Sequence, residues 1–290
     1  MELREAIGRR RSIRWLLPHR PVEKEKIQRM LEAARLASFW GNVSGLRALV
    51  VYRDEAPPDV MRALLGPVAG YQVSLAPVII VWYFDANACD QIGSRLRELE
   101  EVGAIGYGEN KKDALEKGLI AFMTAVGDLL KLPGVNEVDC GQGIAQATLM
   151  AWEQGLGTCC LGVSNPDLLQ RRLKLPEGCR IMVNQAVGYP AESPEAGGQR
   201  PRPPFEAMFA LNTLDNPFPR NPEVVAELET DGMIQQPGPM PWREAEIEFL
   251  RQSFGLEGNG LLEWRWKDNS GVASDEGALP IEMPPTEGAS

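Results

Sequence analysis

The sequence predicts an α+β fold in which helices flank a central sheet. Short apolar stretches rich in valine, isoleucine and aromatic residues are separated by stretches with helical periodicity. A further apolar stretch at 179–188 returns late in the chain. Elements of these two kinds pack as layers around one core. A chain of 290 residues can bury such a core without disulfides or metals.

The first half of the chain contains one clear helical stretch and two strand stretches. Apolar residues with the spacing i, i+3, i+4, i+7 predict a helix over 22–37. These residues are Ile27, Met30, Leu31 and Ala34. Residues 47–53 are predicted to form a strand. The uninterrupted apolar run at 78–84, which follows Pro77, predicts a central strand buried on both faces.

The second half contains two helical stripes and two further strands. The stripes consist of Leu115, Leu119, Phe122 and Val126, and of Ile144, Ala147, Thr148 and Ala151. We expect the second helix to end near Gly155, because glycine can take a left-handed cap conformation. Residues 158–163 predict a short strand, and a turn at 165–167 leads into a helix at 168–173. The last strand is predicted at 179–188.

Charge and cysteine content exclude several classes of protein. The 40 acidic and 30 basic residues argue against a nucleic-acid binder, which needs clustered positive charge. The five cysteines form no C-x-x-C pair, so they indicate neither a disulfide framework nor a zinc site, and they favour a reducing, cytoplasmic compartment. No apolar stretch is long enough to span a bilayer, and residues 1–14 do not resemble a secretory signal.

The chain has a single histidine, His19, in a Pro-His-Arg-Pro turn. A multi-histidine metal site is therefore impossible, and no metal is predicted. A Ser-His-Asp triad would have to include His19. We interpret His19 as a solvated loop residue.

Two arginine-rich segments are candidates for anion binding. The first reads R-R-R-S-I-R at 9–14, and the second is Arg200-Pro201-Arg202. Guanidinium groups bind phosphates and carboxylates through paired, charge-assisted hydrogen bonds. Taken singly, the first could equally be a solvated helix end and the second a basic linker.

Three other features allow a structural explanation. G-Q-G at 141–143 lacks both a good preceding strand and the third glycine of a dinucleotide fingerprint, so close helix packing explains it better. The adjacent pair Cys159-Cys160 could serve thiol redox chemistry, but buried free cysteine is the commoner state. From about residue 205 the chain is rich in proline, with one amphipathic stretch at 242–254, and either covers another surface or is disordered.

In order and spacing, these motifs resemble the FMN-dependent nitroreductase family across residues 3–206. R-R-S-I-R at 10–14 resembles the family's R-R-S-x-R, and Arg200-Pro201-Arg202, which follows G-Y-P-A-E at 188–192, resembles its K/R-P-R. The resemblance implies that Arg10 and Ser12 contact the flavin phosphate and ribityl chain, and that Arg14 reaches the N1/O2 edge of the ring. Arg200 and Arg202 would be phosphate ligands. We expect Arg11 to bind the cofactor as well.

Two further motifs carry the resemblance. A-R-L-A-S-F-W-G-N at 34–42 resembles A-x-x-A-P-S-x-x-N, although Ser38 replaces the proline and Phe39 the serine. This implies that Ser38, Phe39, Trp40 and Asn42 approach the flavin of a partner subunit. G-L-G-T-C-C-L-G-V at 155–163 is similar to G-L-G-T-C-W-I-G-G. Leu161, Gly162 and Val163 would lie against the flavin, with a backbone N–H near Gly162 facing N5.

The resemblance also implies the architecture and the activity. It implies a mostly antiparallel sheet, an FMN-binding domain at 1–206, and a C-terminal extension at 207–290 that wraps the partner of a homodimer. FMN would accept a hydride from NADH or NADPH and reduce a small aromatic acceptor, a nitroaromatic or a quinone, by a ping-pong cycle, with no catalytic side chain assigned.

Three alternatives stay open. The chain could be a specialised relative with flavin-cleaving, dehalogenating or dehydrogenase/oxidase activity. It could be a low-turnover flavin-binding protein. The C-terminal extension could instead be an interaction module for another protein.

Overall fold

The computed structural model describes residues 2–65 and 70–256, and within them it contains one antiparallel sheet. The strands are β1 Leu46–Tyr52, β2 Val78–Asp85, β3 Gly157–Leu161 and β4 Cys179–Gly188. Their order is β1-β2-β4-β3, and each neighbouring pair is antiparallel. The predicted α+β fold with a central antiparallel sheet is confirmed.

The helices cover both faces of this sheet and one of its ends. In chain order the described α-helices are α1 Leu3–Arg9, α2 Lys24–Arg35, α3 Pro58–Leu64, α4 Gly70–Leu75, α5 Ile92–Glu101, α6 Lys111–Ala114, α7 Ala121–Ala125, α8 Gly127–Lys131, α9 Val135–Glu153, α10 Pro166–Leu173, α11 Phe205–Met208, α12 Pro222–Thr230 and α13 Arg243–Ser253. Short 3-10 helices lie at Trp40–Asn42 and Ala86–Gln91, and a π-helical segment lies at Leu115–Ile120.

Strand β2 has the burial that its sequence predicts. Its side chains alternate between two apolar clusters, one on each face of the sheet. Ile80 and Trp82 pack with the apolar stripes of α2 and α9, whereas Ile79 and Val81 pack against residues of α3 and α10. With β1 on one side and β4 on the other, β2 is a central strand buried on both faces, as predicted.

Helix α9 packs closely against α2 at one glycine. A Cβ on Gly143 would lie 2.5 Å from Leu46 Cδ2 and 3.1 Å from the carbonyl oxygen of Ala34, whereas a Cβ on Gly141 would meet nothing within 4 Å. The close-packing interpretation of this motif therefore holds for Gly143 and not for Gly141. Because α9 already begins at Val135, no strand precedes these glycines, and the rejection of a dinucleotide-binding loop is confirmed.

The segment predicted to be helical from Leu115, Leu119, Phe122 and Val126 is helical, but the predicted buried stripe is wrong at Leu119 and Phe122. Leu115 is buried, but Leu119 and Phe122 are 42% and 61% exposed, and the buried positions are instead Ile120 and Met123. The cause is the π-helical segment at Leu115–Ile120, whose wider turn moves the buried stripe on by one residue, from 119 to 120.

The C-terminal region has an exposed part and a part that packs against the rest of the chain. Residues 206–224 are exposed, while α13 confirms the amphipathic stretch predicted at 242–254 and buries Leu250 against Trp15 and Tyr71. The part of the predicted extension from 257 to 290 lies outside the described residues. Among the residues described, no helix is both long and apolar enough to cross a bilayer.

Candidate functional site

The first arginine segment runs in extended form along the ends of β3 and β4. Ser12 forms a parallel bridge with Thr158, and the backbone N–H of Ile13 donates to the Thr158 carbonyl at 2.9 Å. Ile13 is fully buried against Gly157, whose missing Cβ would lie 2.8 Å from Ile13 Cβ. The segment is therefore held by the sheet through its apolar residues, while Ser12 and Arg14 stay partly exposed.

A buried carboxylate fixes the backbone at Arg14. Glu192 Oε1 accepts hydrogen bonds from the backbone N–H of Arg14 and from that of Trp15, the latter at 3.0 Å. Its other oxygen, Oε2, pairs with Arg243 Nη2 at 2.6 Å, and the Glu192 side chain is 0% exposed. A buried carboxylate of this kind needs all of these partners. Glu192 therefore joins the first arginine segment to helix α13.

The two arginine segments lie close enough for their charges to interact. The pKa of Arg200 is lowered, first by burial and then by the positive charges of Arg14 and Arg243. The pKa of Arg11 is likewise lowered by burial and by the charges of Arg10 and Arg200. Positive charges that lower one another's pKa repel each other. A bound anion would reduce this repulsion, so the cluster is a candidate anion site.

The individual guanidinium groups differ in what they contact. Arg11 is 5% exposed, and its guanidinium group donates to the Gly8 carbonyl at 2.5 Å and to Gln235 Oε1 at 2.6 Å. Both nitrogens of this guanidinium that make these bonds therefore have acceptors in the protein. Arg200 Nη2 donates to the carbonyl of Ala196 at 3.0 Å, and Arg202 is exposed. Arg10 and Arg14 are half-buried.

The end of strand β3 lies beside this cluster. Leu161 packs against Trp15 and Tyr71, and a Cβ on Gly162 would meet nothing within 4 Å, so the backbone there borders open space. Val163, which follows, is half-buried.

The thiol of Cys159 has its pKa raised to about 11 by burial, against the opposing charge of Arg14. A raised pKa keeps the thiol protonated, which argues against thiolate redox chemistry at the Cys159-Cys160 pair.

The structure does not bring the loop at 38–42 to this cluster within one chain. That loop precedes β1, the edge strand opposite β3. Three strand spacings separate these edges by about 14 Å. Trp40 is 41% exposed, and its backbone N–H donates to Asp139 Oδ2 at 2.5 Å. Asn42 has a φ of 56°. Ser38 is exposed, and Phe39 is half-buried.

These donors fit a phosphate monoester next to a flat ring. Guanidinium groups from two segments supply the paired donors that phosphate prefers. Glu192, the buried carboxylate near Arg200, already has Arg243 and two backbone amides as partners, and it offsets only part of the positive charge, because the pKa of Arg200 is still lowered. Sequence reasoning missed Arg243 and Gln235 altogether, because only tertiary structure brings residues of the C-terminal region to 10–14.

Comparison with known proteins identifies a matching family. The sequence matches the model of the Nitroreductase family over residues 7–189. An NADH dehydrogenase of Thermus thermophilus is 29% identical over 197 residues, which cover 66% of this chain and 88% of the relative.

Two solved structures are similar in fold. A nitroreductase of Exiguobacterium sibiricum in complex with FMN has a TM-score of 0.61 at 21% identity, covering 73% of this chain and 98% of that chain. An NAD(P)H:FMN oxidoreductase of Staphylococcus epidermidis has a TM-score of 0.60 at 15% identity, covering 72% of this chain and 95% of that chain. The likeness in both cases is one of fold.

The family model spans well over half of the chain, including the first arginine segment, the loop at 38–42 and all four strands. The fold and the sequence lead to the same result, and the predicted resemblance is confirmed. The chain belongs to the nitroreductase family, whose members are FMN-dependent oxidoreductases.

Proposed function

We propose that this chain is a cytoplasmic, homodimeric enzyme that uses FMN to transfer electrons from NADH or NADPH to a small aromatic acceptor, a nitroaromatic compound or a quinone. The observation that carries the proposal is the convergence of the arginine segments 10–14 and 200–202 at one end of the sheet. Family membership supports the class of reaction, and the likeness to an NADH dehydrogenase supports the class of donor.

The residues around the cluster have distinct tasks in this proposal. Arg10, Ser12, Arg200 and Arg202 hold the phosphate and ribityl chain, and Arg14 stands at the N1/O2 edge of the ring, where a cation stabilises negative charge. Residues 161–163 support the ring, because the backbone at Gly162 borders open space. When bound, the flavin supplies the redox chemistry by accepting a hydride and passing electrons to the second substrate.

The proposed dimer completes the site from the other edge of the sheet. Within one chain, the loop at 38–42 and the arginine cluster lie on opposite edge strands. Trp40 is 41% exposed, and Phe122, Leu129 and Leu132 are each more than half exposed. Large apolar side chains on a surface favour a protein partner. A second copy would cover them and bring its own 38–42 loop to the flavin.

The absorption spectrum of the purified protein, followed by rapid mixing with each nicotinamide, tests the proposal. We expect a yellow protein, or one that becomes yellow with added FMN, whose flavin bleaches under anaerobic mixing with NADH or NADPH. A nitroaromatic or quinone should then restore the oxidised spectrum. Light scattering on the same sample should give the mass of a dimer.

Each failure has a distinct meaning. A colourless protein that FMN does not reconstitute would overturn the cofactor assignment. A bound flavin that stays oxidised with both nicotinamides would indicate a flavin-binding protein with little turnover. Reduction without reoxidation by either acceptor class would point to a specialised member of the family.

A further inference from the structure

Residues 232–254, named here the C-terminal strap, run beside the second arginine segment. The backbone N–H of Gly238 donates to the Gln199 carbonyl at 2.8 Å, and that of Met240 donates to the Gly197 carbonyl at 3.0 Å. Gln199 N–H in turn donates to the carbonyl of Gln236 at 3.3 Å. These backbone hydrogen bonds end at Gln199, so the strap fixes the backbone immediately before Arg200.

Glycines allow the strap to approach the rest of the chain closely. A Cβ on Gly8 would lie 2.3 Å from the Gly232 carbonyl oxygen, and a Cβ on Gly238 would lie 2.3 Å from the Gly197 carbonyl oxygen. Real side chains do not tolerate such distances to backbone atoms. The strap therefore packs at backbone contact against both α1 and the loop that precedes Arg200.

The strap also contacts the first arginine segment through side chains. Gln235 Oε1 accepts from Arg11 Nη2 at 2.6 Å, and Leu250 and Phe254 pack on Trp15, with the Phe254 ring stacked at 5.8 Å between centroids. Arg243, whose side chain is 14% exposed, pairs with the buried carboxylate of Glu192. Both arginine segments are thus attached to one C-terminal element.

Arg243 has a specific electrostatic consequence for the cluster. Glu192 lies near enough to Arg200 to raise its pKa, against the larger effect of burial. Without Arg243, the buried Glu192 carboxylate would lack its charged partner. Two arginines of the cluster lie near it: Arg14, whose backbone N–H already donates to Glu192, and Arg200, whose pKa Glu192 raises. A guanidinium drawn to Glu192 is lost to an incoming anion.

We propose that the C-terminal strap supports the anion site from outside and that Arg243 is the positioning residue of the strap, which pairs with Glu192 and so leaves Arg14 and Arg200 free for the phosphate. Arg243 lies outside residues 7–189, the part of the chain that matches the family. The identity of the anion as FMN rests on the proposed function. The contacts of the strap do not depend on it.

The test compares FMN with riboflavin, which has the same ring and no phosphate. We expect Arg243→Met to weaken FMN binding by about tenfold to a hundredfold and riboflavin binding by less than about threefold. Arg243→Lys, which keeps the charge, should recover much of the FMN affinity. Arg251→Met, on the same helix, is the matched control and should bind both flavins as the unchanged chain does.

A second variant separates positioning from general loss of structure. Glu192→Gln combined with Arg243→Met removes the buried Glu192 carboxylate that would compete for Arg200, while the glutamine oxygen can still accept from the Arg14 and Trp15 amides. Both the single and the double variant leave Glu246 without Arg243, so that loss cancels in the comparison. We expect this double variant to bind FMN more tightly than Arg243→Met alone. Equal loss of FMN and riboflavin, or a double variant as weak as the single one, would overturn the role of Arg243.

Hydrogen exchange on the flavin-free protein gives a readout that needs no cofactor. Arg243→Met should speed exchange at the amides of residues 12–17 and 197–200, and Arg251→Met should not. If the unchanged chain binds no FMN but this exchange pattern is seen, the proposed function fails and the strap stands. If the chain binds FMN but the pattern is absent, the inference about the strap fails alone.

Discussion

Arg200 is the residue at which the proposed phosphate site can be tested most directly, by the change Arg200→Met. A charge-assisted hydrogen bond contributes about 1.5–3 kcal/mol. Since about 1.4 kcal/mol is tenfold in Kd, the loss corresponds to FMN binding roughly 10- to 150-fold weaker. Riboflavin binding should be nearly unchanged, because riboflavin carries no phosphate.

The same substitution should leave the stability of the flavin-free protein almost unchanged. It removes the hydrogen bond from Arg200 Nη2 to the Ala196 carbonyl, 3.0 Å long, and such a bond contributes about 1 kcal/mol. It also removes repulsion from Arg14 and Arg243, the cations that lower the pKa of Arg200. For a half-buried group this relief is on the order of 1 kcal/mol. The two effects offset each other.

Flavin fluorescence titration gives both affinities, and urea unfolding gives the stability. Arg35→Met, which removes an exposed arginine paired with Glu32, is the control and should change neither flavin affinity. The reasoning is refuted if Arg200→Met binds FMN within about threefold of the unchanged chain, or if riboflavin weakens as much as FMN does.

Three further predictions concern stability, and all are measured by urea unfolding of the flavin-free protein. Gln185→Leu should cost about 1–3 kcal/mol, because Gln185 Oε1 accepts from the buried Trp82 Nε1 at 2.8 Å; the loss in the double variant with Trp82→Phe should be smaller than the sum of the two single losses, and simple additivity would contradict the explanation. Burial raises the pKa of Cys140 to about 12. The unfolded thiol ionises near pH 8.5, so this thiol alone should lower the free energy of unfolding above about pH 9 by up to about 1.4 kcal/mol per pH unit, in addition to the contribution of Cys159. Cys140→Ala should make that fall less steep, and an unchanged slope would exclude this thiol as a cause. Gly157→Ala should cost about 1–3 kcal/mol, since its Cβ would lie 2.8 Å from Ile13 Cβ; a neutral effect would show that the Ile13 segment can shift freely.

Sequence reasoning succeeded where one local rule decides the structure. The apolar run of β2 has only one stable place, between two other strands, and β4 has the bounds 179–188 that its composition predicts. The helix predicted at 168–173 is present but begins two residues earlier, at Pro166, and Asn165 caps it by accepting from the backbone N–H of Leu168. In these cases the pattern of apolar residues and the residues that begin a helix are enough to predict that the element forms.

Sequence reasoning failed where an irregular helix or a contact between distant residues determines the structure. The stripe at Leu119 and Phe122 follows the regular helical period, and nothing in the spacing reveals the π-helical segment that buries Ile120 instead. The family motif places Arg11 among the cofactor-binding residues, but only the fold shows Gln235 beside its guanidinium. Arg243 sits in a stretch whose only visible signal is amphipathicity, so its pairing with Glu192 could not be predicted.

The contact between Arg243 and Glu192 also sets an order of events during protein synthesis. More than two hundred residues separate Arg14 from Arg243. At about 5–20 residues per second, the ribosome adds Arg243 roughly 10–45 s after Arg14. By the time residue 242 has been added, the nascent chain carries the residues of the sheet and of both arginine segments, but Glu192 still lacks its cation. If Arg243 has the proposed positioning role, a chain that stops before residue 243 would lack the cation that pairs with Glu192 and should bind the phosphate more weakly.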